Sequence, residues 1–278
     1  MTNDATDRVR QDWDSQAKRW YELREPMLAA SRPIHEWLVE QLDPKPGERI
    51  LEIAAGPGDT GFLAAQRLGT GRLVSTDLSS LMVEAARTRG EELGITNAEY
   101  RTLDAQAMDL VDASFDGVIC RWGFMLMPDP AAAFRECRRV LVPGGRLVLA
   151  VFTGPEKNPF ASIPARILVE MGSLPTPSSG WRPGILALAD RATLESLIGA
   201  AGFTSIEVEA VAMAWTFESL DDYWSFLVDM SALGPRIRAL SEEARARFRA
   251  TLNERLAPFT SSSAIALPSE CWCASASK

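Results

Sequence analysis

The chain has 278 residues, 46% of them hydrophobic, with 29 basic and 37 acidic side chains and a net charge of −8. That length suits one large α/β domain with insertions, and the acidity disfavours a nucleic-acid partner, since phosphate binding needs a basic face. No apolar run of ~18 residues is present and residues 1–10 are as acidic as they are basic, so neither a membrane span nor a signal peptide is expected, and the expected compartment is the cytoplasm.

Residues 4–42 read as two helices. The first carries Val9, Trp13, Ala17 and Trp20 at helical spacing; the second, after Pro33, carries Ile34, Trp37, Leu38 and Leu42. Trp13, Trp20 and Tyr21 form either a stripe that docks this segment on the core or a lid that excludes water from a site. His35 is the only histidine. Beside Ile34 and Trp37 it reads as a half-buried helix residue, with a general base as the competing role.

Residues 50–61, ILEIAAGPGDTG, are the stretch around which the rest of the chain is organised. Ile50, Leu51 and Ile53 suit a strand buried on both faces, and Gly56, Gly58 and Gly61 make G-x-G-x-x-G ahead of a helix over 60–68. Glycine lets such a turn take positive φ and lets a ligand touch the backbone, so a side chain at Gly58 is expected to fill space the ligand needs. A second strand over 72–76 runs into Asp77, 21 positions after Gly56, where a doubly wound fold places a ribose-binding carboxylate. Asp59 at the helix start, with Glu52 upstream, would repel a pyrophosphate and tolerate a cationic ligand.

Ser79 or Ser80 caps the next helix, with Leu81, Met82, Ala85, Ala86 and Leu93 expected to face inward. A third strand over 97–103 ends at Asp104. A fourth over 116–120 leads into Arg121-Trp122-Gly123-Phe124, at the strand ends where open parallel sheets bind ligands. Arg121 is placed to touch a ligand through its backbone, to pair with Asp104 or to reach a substrate; Trp122 and Phe124 line the substrate side or belong to the core. Asp129-Pro130 starts a helix with Ala133, Phe134, Cys137, Val140 and Leu141 inside, and Pro143-Gly144-Gly145 turns into a fifth strand. Residues 154–189, with weak periodicity around Pro159, Pro164, Pro175, Pro177 and Trp181, read as an insertion. A helix over 190–202, a sixth strand over 203–215, a second insertion of two helical patterns over 216–258 and a last strand over 260–274 complete the chain. Cys120, Cys137, Cys271 and Cys273 lack CxxC spacing and sit in apolar patterns, so no metal site or disulfide is expected.

In order and spacing these signals resemble the class I S-adenosylmethionine-dependent methyltransferases. Glu52 to Gly58 is similar to that family's first motif, with Pro57 common between its glycines; Asp77-Leu78 to the second, whose acid holds both ribose hydroxyls; Asp104-Ala105 to the segment that meets the adenine. FDGVICRWGFMLMPD and VLVPGGRLVLAVF come next in register, and WDSQAKRWY, DLSSLM and RWGFMLMPD look most like the ubiquinone and menaquinone C-methyltransferase branch.

The resemblance implies a doubly wound seven-stranded α/β sheet of order 3-2-1-4-5-7-6 with its last strand antiparallel, and a single domain. Residues 1–48 would form a helical lid, 49–153 the cofactor-binding core, and 154–189 and 216–258 substrate-side insertions. It implies S-adenosylmethionine bound by Glu52, Gly56, Pro57, Gly58, Asp77, Leu78, Met82, Asp104, Ala105 and Arg121. The reaction would be methyl transfer to a small apolar or aromatic acceptor through carbon, oxygen or nitrogen. The competing readings are an NAD(P)-dependent oxidoreductase and a non-catalytic S-adenosylmethionine-binding regulatory protein.

Overall fold

A computed structural model describes residues 2–175, 181–262 and 264–278; Pro177 lies outside them. Strands β1 (Arg49–Glu52), β2 (Arg72–Asp77), β3 (Ala98–Thr102), β4 (Phe115–Arg121) and β5 (Leu141–Phe152) pair in parallel in the order 3-2-1-4-5. Residues Ile50 to Ile53 and Val118 to Cys120 are buried, as central strands covered on both faces must be.

The far edge is built differently. β6 (Thr204–Phe217) and β8 (Ala264–Ser277) pair antiparallel to each other, and β8 inserts antiparallel beside β5, giving β3-β2-β1-β4-β5-β8-β6. The expected order and the antiparallel insertion are both present. The difference is a two-residue β7 (Thr260–Ser261) that folds back only on β8, raising the strand count to eight.

Pairing of β8 with β5 ends at Phe152 opposite Cys271, while pairing with β6 continues from Ala212 opposite Glu270 to Phe217 opposite Ile265. The β6–β8 ribbon therefore overhangs the carboxyl edge of the sheet by six residue pairs, about 20 Å. Period-2 alternation buries Met213, Trp215 and Phe217 from β6 and Ile265, Leu267 and Cys271 from β8. An apolar wall thus stands beside the strand ends.

Helices α1 (Thr2–Glu22) and α2 (Arg24–Leu42) open the chain. Pro33 lies inside α2 rather than before it; it sits on the exposed face, where its missing N–H is cheapest, and burial of Met27, Ile34, Leu38 and Leu42 holds the helix together across it. Leu42 reaches the sheet because Gly117 opposite it has no side chain: a Cβ there would lie 2.6 Å from Leu42.

α3 (Asp59–Ala65) and α4 (Ser80–Glu92) come after β1 and β2. Ser79, not Ser80, is the α4 cap, accepting from the Met82 amide at 3.1 Å. Leu81 and Leu93 are exposed, contrary to the periodic reading, and Val83, Arg89 and Gly90 are buried with Met82 and Ala86. Polar pairing turned the helix, since Arg89 bonds Glu25 at 2.7 Å and Asp59 at 3.4 Å.

Asp129 caps α5 (Pro130–Val140) through the Ala132 amide. Residues 154–189 contain a full helix, α6 (Pro159–Glu170), that their prolines hid. α7 (Arg191–Ala200) precedes β6, and 216–258 hold three helices, α8 (Leu220–Met230), α9 (Gly234–Arg238) and α10 (Glu242–Leu256), rather than two. All four cysteines are buried and unpaired, and no metal-binding cluster occurs among the described residues.

Candidate functional site

The ends of β1 and β2 carry a glycine turn and an acid that the fold brings together. Asp77 Oδ2 accepts from the Gly56 amide and Oδ1 from the Ser79 amide, each at 2.9 Å. Burial pushes the Asp77 carboxyl up to about 6, against the pull of those backbone donors. The Leu78 amide is a third backbone donor to this carboxyl, and with two lone-pair sites per oxygen the group still has capacity for a further donor.

Gly56 has φ +55 and open space where a Cβ would point, with no atom within 4 Å. Gly58 differs. At φ +87, a Cβ there would lie 2.6 Å from the buried Phe62 ring. The space at Gly58 belongs to the protein, and the expectation that a ligand claims it is corrected; Gly56 is the glycine that leaves room. Positive φ also marks Ala54 (φ 51) after β1 and Trp122 (φ 62) after β4, uncommon conformations for residues with a Cβ. Pro57 is buried in the turn.

Glu52 lies beneath the loop and does not face the site. It is 2% exposed, takes the Gly61 amide at 2.7 Å and the Ser75 hydroxyl at 2.9 Å, and burial pushes its carboxyl up to about 8. A Gly61 Cβ would lie 2.2 Å from this carboxylate, so the third glycine of the motif makes room for Glu52. Largely protonated at neutral pH, Glu52 contributes little negative charge, and only Asp59 remains to repel a pyrophosphate. That residue is buried at the start of α3, 3.4 Å from Arg89.

Glu52 should leave a pH signature. Its folded value lies above its ordinary one, so its stabilising contribution is complete below about 4.5 and is lost as pH rises through about 8. Between pH 6.5 and 8 the protein should lose about 1.5 kcal/mol of stability from this group, a loss missing from Glu52→Gln; urea midpoints at both pH values measure it.

His35 is 1% exposed and both ring nitrogens are occupied. Ser31 Oγ donates to the Met27 carbonyl at 2.6 Å, so its contact with His35 Nε2 at 2.9 Å has the imidazole as donor. Arg121 Nε donates to Thr60 Oγ1 at 3.1 Å, and Thr60 in turn donates to His35 Nδ1 at 3.0 Å. The chain Arg121, Thr60, His35, Ser31, Met27 has one proton order, with His35 neutral; burial, then the Arg121 charge, holds its pKa well below the ordinary range. His35 ties α2 to the glycine turn and offers no free nitrogen, which removes it as a base. His35→Ala should cost about 2–4 kcal/mol of folding stability in urea melts by leaving a cavity and two hydroxyls short of a partner. It should remove no imidazole limb from a pH–rate profile.

Arg121 is half-buried, stacked 4.3 Å from the Trp122 ring, and its terminal nitrogens make no hydrogen bond among the described residues. Of the alternatives for Arg121, pairing with Asp104 does not form among the described residues: Asp104 Oδ1 takes both the amide and the side-chain nitrogen of Gln106. Leu78 is half-buried, while Ala105 and Met82 are buried near their strand ends. Of the two aromatics after β4, Phe124 is core, stacked on Phe134 at 4.0 Å, whereas Trp122 stacks on Phe152 at 4.7 Å and lies 6.0 Å from Trp215.

Helix α1 covers this edge through a residue that sequence reasoning missed. Asp14 accepts from the Ser79 hydroxyl at 2.6 Å, two residues beyond Asp77. Further on, Tyr21 donates to Glu92, which raises the Tyr21 pKa and keeps the hydroxyl protonated, hence a poor base, at neutral pH. Arg24 also reaches Glu92, at 3.3 Å. Asp14 and Thr60 carry no pattern of their own; only their contacts reveal them.

A methyl donor with an adenosyl ribose fits this arrangement: an open glycine, and beside it a buried acid with acceptor capacity left after its backbone donors. The family described as "Methyltransferase domain" matches residues 50–145. A demethylmenaquinone methyltransferase of Thermus thermophilus is 32% identical over 168 residues, 58% of this chain and 76% of that protein. A ubiquinone/menaquinone biosynthesis C-methyltransferase of Ruegeria is 35% identical over 117 residues, 42% of this chain; the match spans 47% of that enzyme, about half its length. The YcgJ protein of Bacillus subtilis shares the fold at a TM-score of 0.58 and 18% identity, over 88% of this chain and 97% of that one. The open glycine, the ribose-type acid and the Thermus relative together assign the chain to the class I S-adenosylmethionine-dependent methyltransferases, with S-adenosylmethionine as its cofactor.

Proposed function

We propose that the protein transfers a methyl group from S-adenosylmethionine to a carbon, oxygen or nitrogen nucleophile on a small apolar or aromatic molecule. The observation that carries the reading is Asp77, buried at the end of β2, held by backbone amides and set beside the open Gly56. When bound, the cofactor supplies a sulfonium-activated methyl, so the protein's work is alignment and exclusion of water.

In this reading Asp77 holds the ribose hydroxyls, and Gly56, Pro57 and Gly58 shape the turn around the cofactor. Leu78, Met82 and Ala105 pack near the adenine, and Asp104 keeps its second oxygen for the adenine amino group. Arg121 presents its two unpaired terminal nitrogens to a carboxylate. Glu52 supports the turn from below. Of residues 1–48, helix α1 acts as the lid, its end held to α4 by half-exposed polar contacts such as Tyr21 with Glu92, while α2 is anchored to the sheet by the buried Ile34, Leu38 and Leu42. Residues 154–189 and 216–258 stand on the acceptor side.

Aromatic density points to the acceptor class. Trp122, Phe152, Phe160, Trp215, Phe226, Phe217 and Tyr223 make a continuous series of ring contacts at 4.7–6.0 Å. The Thermus and Ruegeria relatives are named for menaquinone and ubiquinone chemistry, which favours an aromatic acceptor. With a net charge of −8, a small molecule is favoured over a nucleic acid, and cytoplasmic action is consistent with the lack of any helix, among the described residues, long and apolar enough to cross a membrane. Calorimetry with S-adenosylhomocysteine, then transfer of labelled methyl to phenols, quinols and amines, tests the proposal. Absence of S-adenosylhomocysteine binding at millimolar concentration would refute it.

A further inference from the structure

Three arginines packed between elements each meet an acid. Arg89 reaches Glu25 at 2.7 Å and Asp59 at 3.4 Å, Arg139 reaches Glu136 at 2.8 Å, and Arg146 reaches Glu48 at 2.8 Å. Arg121 makes no such ion pair among the described residues. The acids that pull on it through space are engaged elsewhere, Asp59 with Arg89, and Glu52, largely protonated, with the Gly61 amide and the Ser75 hydroxyl. Burial lowers the Arg121 pKa from its ordinary value in spite of them, as it does for a cation taken from water without a counter-ion.

Arg121 closes β4 at the carboxyl edge, opposite Ala150 of β5. Along a regular strand its side chain and that of Trp122 would point to opposite faces. The left-handed backbone of Trp122, φ 62, breaks that alternation, and the indole ring lies 4.3 Å from the guanidinium. Such a backbone costs about 1–2 kcal/mol in a residue with a Cβ, and strain of this kind collects at ligand sites. Held by Thr60 at Nε and by the Trp122 ring at Cζ, the side chain has one edge left for bonding, that of its two terminal nitrogens. Arg121 is half-buried and that edge is not enclosed, so a ligand can reach it. The same indole stacks on Phe152 at 4.7 Å, where the series of ring contacts begins. A forked cation and a wall of rings thus meet on two consecutive residues.

The geometry points to Arg121 as the specificity-determining residue for the methyl acceptor, receiving a carboxylate carried on an aromatic ring, so that the acceptor is an aromatic acid. This assignment rests on the methyltransferase reading and narrows its acceptor. The two terminal nitrogens match the two oxygens of a carboxylate side by side, in charge-assisted bonds roughly twice as strong as neutral ones, while ring contacts hold the rest of the molecule. The carboxylate orients the ring. S-adenosylmethionine also carries a carboxylate, but its amino-acid end offers nothing to a wall of rings, whereas an aryl acid uses both features.

The test titrates the full chain, saturated with S-adenosylhomocysteine, with benzoate and with its neutral isostere benzamide, and reads both affinities by NMR. The parent should bind benzoate about tenfold more tightly than benzamide. Arg121→Gln should lose that preference. Arg121→Lys keeps the charge without the fork and serves if the glutamine variant does not fold; it should lose about threefold of the preference. A purely structural role through Thr60 and His35 would weaken acid and amide alike. The proposal is overturned if the parent binds benzamide as tightly as benzoate, or if the preference survives in the variants. It is also overturned if S-adenosylhomocysteine loses as much affinity as benzoate, which would give the edge to the cofactor's own carboxylate. Failure of the unaltered chain to bind S-adenosylhomocysteine is a separate outcome that sinks the cofactor reading, and calorimetry reports it without either probe.

Discussion

Asp77→Ala should weaken S-adenosylhomocysteine binding by about 1–3 kcal/mol, roughly 10- to 100-fold in Kd, by calorimetry at pH 7.5. The side chain accepts from the amides of Gly56 and Ser79 and has capacity for a further donor. Removing it deletes the ribose acceptors and also frees the two amides that set the shape of the turn. Asp77→Asn should be nearly as harmful, because its NH2 group would have to face one of those N–H donors. An affinity within twofold of the parent in both variants would mean that the acid is only a brace for the turn.

Asp77 also links binding and stability to pH with opposite signs. Its folded value of about 6 lies above the ordinary 3.8, so its contribution to stability is complete below 3.8 and is lost as pH rises through about 6. Cofactor affinity runs the other way, falling as pH drops below about 6 and the carboxylate is protonated. Affinity and melting temperature measured between pH 5 and 7.5 should therefore show contributions from this residue that move in opposite directions.

The second large effect is at the glycine turn. Gly58→Val should destabilise the fold by about 3–5 kcal/mol, read from urea unfolding, since a β-branched residue resists positive φ and its Cβ overlaps a ring that cannot yield. That Cβ would lie 2.6 Å from Phe62 and 3.3 Å from Ala86, both buried. Gly56→Ala should behave in the opposite way. Its Cβ meets nothing within 4 Å, so the variant should fold with a cost of about 1–2 kcal/mol for the left-handed backbone and lose affinity for S-adenosylhomocysteine at least tenfold. Equal loss of binding in two equally stable variants would show that both glycines face the ligand.

These two glycines illustrate what a sequence exposes. Spacing marks Gly56, Gly58 and Gly61 as one motif, but three different neighbours account for them: open space, Phe62 and Glu52. The acid of the first motif reads as a charge beside the ligand and proves to be a buried clasp on Gly61 and Ser75. His35 draws attention as the lone histidine and proves to be the middle of a hydrogen-bonded chain from Arg121 to Met27. In each case the residue type was conspicuous, while its role depended on its neighbours in the fold; the hydrogen-bond partners of Glu52 and His35 lie 4 to 25 positions away.

Local sequence by itself determined the parallel core, the turn after β1, the acid ending β2 and the cap at Asp129, because buried strands need continuous apolar runs and helix starts need a side-chain acceptor within three residues. α6 escaped notice because prolines at Pro159 and Pro164 read as breakers although the helix tolerates both. Only the tertiary structure decided which glycine leaves room for a ligand, which carboxylate the backbone amides hold beside it, and that the β6–β8 overhang sets Trp215 among aromatic rings. Those outcomes depend on contacts between chain segments far apart in sequence, and neither periodicity nor residue type encodes which distant side chain will occupy a given space.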